Sequence, residues 1–266
     1  MSDAFLEVTV AAPALWYGIV LVFGLLLGSF LNVCIVRWPA LESVVSPRSR
    51  CPQCGNLIAW HDNIPVLSWL ALGGKCRHCT LPIPIRYPLV ELATGLVWLW
   101  AAWQYGPALE MLRAATFGTI LLGIAMTDAR EYIIPDEFSL GGAAIGLAFA
   151  FAGGELPWRE ALLGAAVGYG LLWAIAVIGT KAFGEDAMGG GDVKMMAMLG
   201  AFLGWQGVLL TLFLGALLGT LIFLPLKLMG RNILVPFGIF LAIGGVATWL
   251  VGASLVHWYT TSILGM

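Results

Sequence analysis

Long apolar runs separated by short charged stretches make up most of this chain. Uncharged runs cover 8–36, 92–109, 114–127, 138–154, 161–180, 195–226 and 232–266. A membrane-crossing helix needs about 20 apolar residues, so the pattern predicts an all-α polytopic membrane protein. The first run follows Asp3 and Glu7 and is too long for a cleaved signal, so residues 1–36 read as a first span. Run 114–127 is short for a crossing. Either Arg113 must snorkel outward or Asp128 must sit at the membrane boundary. Run 195–226 is long for one helix and tight for two, and "GWQG" at 204–207 is its turn candidate.

Composition supports the pattern. The chain is 60% hydrophobic and 11% charged, against roughly a quarter charged in soluble domains. Folding 195–226 into a hairpin gives about eight transmembrane helices with both termini outside. Eleven of the thirteen Lys and Arg then share one face, and only Arg113 and Arg159 lie opposite. By the positive-inside rule that face is cytoplasmic. A net charge of −2 without a basic tract gives no footing for nucleic acid.

The polar insertion 37–86 holds two cysteine pairs, "CPQC" (51–54) and "CRHC" (76–79). Two C-x-x-C turns separated by 21 residues match the ligand spacing of tetrahedral zinc sites. Cys51, Cys54, Cys76 and Cys79 are therefore the expected metal ligands. Two disulfides are the competing reading, which a cytoplasmic loop disfavours. His61 and His78 are expected to be loop polar residues. Cys34, inside the first span, is expected to pack.

Two carboxylates stand at the ends of apolar runs: Asp128 in "AMTDAREYIIPDEF" and Asp192 in "MGGGDVK". Ionisable groups at membrane depth are costly and tend to mark functional sites. A pair that can approach closely shares one proton, which is what acid–base hydrolysis of a peptide requires. Gly189, Gly190 and Gly191 would let backbone come close to a substrate strand. An Asp near a helix N-terminus is also an ordinary structural feature. Glu131, Asp136, Glu137, Glu185 and Asp186 compete for the role, and spacing alone does not choose among them.

Ordered blocks then add a resemblance. "GSFLNVCIVRWP" (28–39), the tetracysteine loop, "NIPVLSWL" (63–70), "RYPLVE" (86–91), "TDAREYIIPDEFSL" (127–140), "MGGGDVKMMAMLGAFLGWQG" (188–207) and "VPFGIFLAIGG" (235–245) resemble the type IV prepilin peptidases. These are the bifunctional leader peptidases and N-methyltransferases of type IV pilus and type II secretion systems. The family's G-x-G-D motif falls on Gly189 to Asp192, and its other catalytic aspartate falls on Asp128. The resemblance implies cleavage of prepilins or pseudopilins after a glycine, at the cytoplasmic face of the bacterial inner membrane. S-adenosylmethionine would then methylate the new N-terminus.

Within the resemblance, 37–86 would be the zinc loop associated with methylation, and 87–266 the membrane-embedded peptidase core. The implied partners are the prepilin substrates and the lipid bilayer. No residue identifies itself as the methyl-donor contact, and Glu91 reads equally as a structural glutamate. One departure is visible. The family's Pro-Phe-Gly-Pro reads "PFGI" here, with Ile239 in the last place, and only a local backbone effect is expected from it. A monofunctional G-x-G-D peptidase would usually lack the cysteine loop. A transporter or assembly scaffold is the non-enzymatic alternative, although no internal repeat supports it.

Overall fold

The computed structural model describes residues 12–184, 188–230 and 236–262. The competing acids Glu185 and Asp186, and much of the segment before the first helix, lie outside the described residues. Among the described residues the chain is all-α, with two isolated antiparallel bridges and no strand. It forms two compact units, one ending at Gly123 and the other beginning at Ile124.

The first unit contains α1 (Pro13–Arg37), a 3₁₀ turn (Trp60–Asn63), α2 (Leu67–Ala71), α3 (Arg86–Tyr105) and most of α4 (Leu109–Glu131). Pro13 opens α1, where its missing N–H costs nothing. Glycines set the α1–α3 contact. A Cβ on Gly28 would stand 2.6 Å from the Glu91 Cα, and one on Gly24 would stand 2.9 Å from the Gly95 Cα. Such backbone approach is how helices pack where no hydrophobic driving force separates them from lipid. Trp98 Nε1 donates to Thr119 Oγ1 at 3.1 Å and joins α3 to α4.

In helix α4 the first of the two alternatives does not hold: Arg113 does not snorkel outward. It is 7% exposed and pairs at 2.7 Å with Glu110, one turn earlier on the same helix. The pair keeps both charges inside the helix bundle, so the helix runs 23 residues where the uncharged run was shorter.

The second unit contains the end of α4, α5 (Asp136–Phe151), α6 (Trp158–Phe183), α7 (Gly190–Leu228) and α8 (Phe237–Ser262). Helix α7 breaks at Gly204, whose φ of 71° lies where only glycine is unstrained. The break reverses the chain. A Cβ on Gly168 would touch both the Met196 carbonyl and, at 3.3 Å, Val208 Cγ2. Twelve residues of unbroken helix would hold those two about 18 Å apart. The turn candidate "GWQG" therefore is a turn, with α6 lying against both arms. Helix α8 packs on the later arm, where Thr211 and Thr248 share a hydroxyl hydrogen bond of 3.0 Å.

Among the described residues five helices, α1, α4, α6, α7 and α8, are long and apolar enough to cross a membrane. Helix α5 has 16 residues, about 24 Å of rise, which is short of a hydrocarbon core of about 30 Å. The chain thus has the character of a multi-pass membrane protein.

Candidate active site

Asp128 lies in the last turn of α4 and is 5% exposed. Its Oδ2 accepts the main-chain N–H of Ile239 at 3.1 Å, and the Gly238 N–H faces the same carboxylate. Both donors belong to the first turn of α8, where helical N–H groups have no intrahelical acceptor. Asp192 lies in the first turn of α7, close enough to Asp128 for their charges to interact. Its Oδ1 is fully enclosed and has no hydrogen-bond partner among the described residues. Enclosing an acceptor without a donor is expensive, and it leaves that oxygen available to reacting groups.

Ile134 brings these elements together. A Cβ on Gly191 would stand 3.0 Å from the Ile134 Cβ, and one on Gly238 would stand 2.8 Å from both Ile134 Cδ1 and Asp128 Oδ2. The two glycines therefore leave room for one isoleucine between the starts of α7 and α8. The three glycines before Asp192 differ in their surroundings. A Cβ on Gly189 would stand 3.1 Å from Asp192 Oδ2, Gly191 backs onto Ile134, and Gly190 has open space around it. Pro135 caps α5, and its carbonyl accepts the Ser139 hydroxyl at 3.2 Å.

The competing acids sit elsewhere. Asp136 receives Lys194 Nζ on both oxygens at 2.7 and 2.9 Å, an exposed tie between α5 and the first turn of α7. Glu131 is exposed and 3.5 Å from Arg130, and Glu137 is exposed. Among the described acids, only Asp128, which is buried, and Asp192, half-buried with one oxygen enclosed, come together at helix ends. Sequence reasoning noted Ile239 only as a departure with a local backbone effect. That effect reaches the carboxylate itself, because isoleucine has a main-chain N–H where a proline would have none.

The tetracysteine loop belongs to the first unit. The ligand atoms of Cys51, Cys54, Cys76 and Cys79 all lie within 4.8 Å of one another, and neither His61 nor His78 joins the group. Cys51 and Cys79 Sγ are 3.9 Å apart, whereas four thiolates about 2.3 Å from a tetrahedral zinc stand roughly 3.8 Å apart. The donor set fits zinc. Its two halves are one turn used twice. Cys51 N–H donates to the Asn56 carbonyl and Gly55 N–H to the Cys51 carbonyl; Cys76 N–H donates to Leu81 and Thr80 N–H to Cys76 in the same way. Gly55 and Thr80 occupy the same left-handed position, with φ of 72° and 60°. The N–H groups of Cys79 and His78 hold the Cys76 thiol down at about 6, which favours the thiolate that a metal requires. Cys34 is 1% exposed within α1, apart from this group.

Glu91 fastens the loop to the helices. Its Oε2 accepts the Val66 N–H at 2.8 Å, its carboxylate also bonds Ser29, and Val66 is held at a φ of 61°. Asn32 Nδ2 donates to the Tyr87 carbonyl at 3.0 Å close by. These bonds make Glu91 a structural clamp.

Known proteins agree with this division. Residues 22–105 match the model of the bacterial peptidase A24 N-terminal domain, and residues 115–224 match that of the type IV leader peptidase family. A prepilin leader peptidase/N-methyltransferase of Aeromonas hydrophila is 35% identical over 97% of this chain and 99% of its own. One from Klebsiella pneumoniae is 40% identical over 77% of this chain and 92% of its own. One from Myxococcus xanthus is 44% identical over 76% of this chain, which spans 60% of that relative's length. No solved structure matches. With near-complete coverage at this identity, the chain belongs to the prepilin leader peptidase/N-methyltransferase family.

Proposed function

We propose that the protein cleaves the leader of type IV prepilins or pseudopilins after glycine and then methylates the new N-terminus. The observation that carries the peptidase half is the contrast between the buried Asp128 and the half-buried Asp192. Asp128 has one oxygen bound by main-chain N–H groups, and Asp192 has one oxygen enclosed without a donor. In this reading Asp128, oriented through Oδ2, takes a proton from water as the water oxygen attacks the glycine carbonyl carbon. Asp192 gives a proton to the carbonyl oxygen. As the tetrahedral carbon collapses, the C–N bond breaks, the leaving amine takes the proton held on Asp128, and the hydroxyl formed from the carbonyl returns its proton to Asp192. Gly189 and Gly190 would border the scissile strand.

Asp128→Asn and Asp192→Asn test the pair. Each is expected to abolish cleavage of a prepilin peptide by the purified, correctly inserted protein, because neither amide can exchange the proton. Substantial turnover in either variant removes that residue from the pair.

Cys51, Cys54, Cys76 and Cys79 would hold one zinc ion that supports the loop structurally. S-adenosylmethionine would supply the methyl group. Glu91 is occupied by Val66 and Ser29, so it does not serve as the donor's cradle, and we assign no residue to that site. The methylation-associated loop would be 37–86 and the peptidase core 87–266. The reversal at Gly204 supports an eight-crossing arrangement, with α3, both arms of α7 and the short α5, extended by the loop residues at its ends, completing the set. The excess of Lys and Arg on one side supports a bacterial inner-membrane location with the aspartates at the cytoplasmic face.

A further inference from the structure

We propose that a cavity beside the last turns of α1 binds an anionic glycerophospholipid. The cavity has a volume of about 410 Å³, within the usual range of ligand sites. Leu26, Phe30, Val33 and Arg37 form one of its walls. At spacings of i, i+4, i+7 and i+11 they make a single stripe along the helix. The stripe rises roughly 16 Å, about half a hydrocarbon core, and ends on the arginine of the helix's last turn. Leu26 and Phe30 are 53% and 49% exposed, so the apolar half of the cavity opens sideways.

Across the polar end stand Arg48 and Trp60. The lining contains two guanidinium groups and no carboxylate. Arg37 spends its N–H groups on the Ser43 and Pro47 carbonyls, which leave its charge unneutralised. Neither arginine pairs with an acid among the described residues. An occupant must therefore be apolar at one end and anionic at the other, and the exposed Trp60 is the amphipathic kind of side chain that favours headgroups. A sulfonium donor or a basic leader peptide would meet uncompensated positive charge there.

The test is native mass spectrometry of the full-length protein, transferred from nanodiscs of phosphatidylglycerol or of phosphatidylcholine. One phosphatidylglycerol should stay bound per chain, and phosphatidylcholine should be lost. Arg48→Gln should weaken retention about fivefold, the effect of one basic residue near a lipid surface. Leu26→Trp should block it while keeping both charges. Equal retention of the two lipids overturns the proposal, as does retention unchanged in both variants. Displacement of phosphatidylglycerol by S-adenosylmethionine also overturns it.

Discussion

Gly191 and Gly238 carry no side chain because Ile134 stands where one would go. Adding a methyl group at either place pushes Ile134, and at Gly238 the Asp128 carboxylate as well. Gly191→Ala and Gly238→Ala are expected to reduce kcat by about a hundredfold, the usual consequence of misplacing a reacting group by an ångström. Gly190→Ala meets nothing within 4 Å, so kcat should stay close to wild type, and the added methyl should raise KM where the scissile strand passes. A steady-state assay on one prepilin peptide compares all three, and equal losses would show that flexibility, not space, is what these glycines provide. Asp136→Asn is the matching control for the acids. Its side chain is 56% exposed, and exposed ion pairs contribute about 1 kcal/mol or less. Cleavage should therefore fall by less than about tenfold.

At the scale of elements, the tetracysteine loop is one turn repeated, and the copies differ in strain. Thr80 takes the left-handed position that glycine takes in the first copy, at a cost of roughly 1 kcal/mol or more. Thr80→Gly should slow zinc release to a chelator severalfold. Metal analysis should find about one zinc per chain, lost in Cys51→Ser/Cys54→Ser and retained in Cys34→Ser. The cysteine group was legible from spacing because a tetrahedral site fixes how far apart its ligands can fall in sequence. The reversal in α7 was legible because glycines flank Trp205 and Gln206 inside an otherwise uniform run. The Glu110–Arg113 pair was not. A charge normally ends a span, and only the opposite charge one turn away lets this helix continue through it. Nor could spacing single out Ile134 as the wedge, since its partners are glycines far away in the chain.

For the molecule as a whole, topology and the separation of activities are the open measurements. Reporter fusions at 60, 130, 187 and 229 should read cytoplasmic, and fusions at 107, 156 and 205 external. A cytoplasmic C-terminus would undo the eight-crossing arrangement. The two compact units suggest that the activities come apart. Without zinc the small loop should unfold locally, since bound metal supplies much of the folding free energy of such units. Cys51→Ser/Cys54→Ser should lose methylation more completely than cleavage. Asp128→Asn should still methylate a pilin peptide that arrives already cut, measured with radiolabelled donor. The reverse outcome would refute this division of labour. The hold on Asp128 also bears on inhibition. Main-chain N–H groups grip the carboxylate, and a codon change alters side chains while leaving those groups in place unless it introduces proline. A compound that engages Asp128 as the reacting water does would leave a bacterium few single mutations by which to become resistant at that contact.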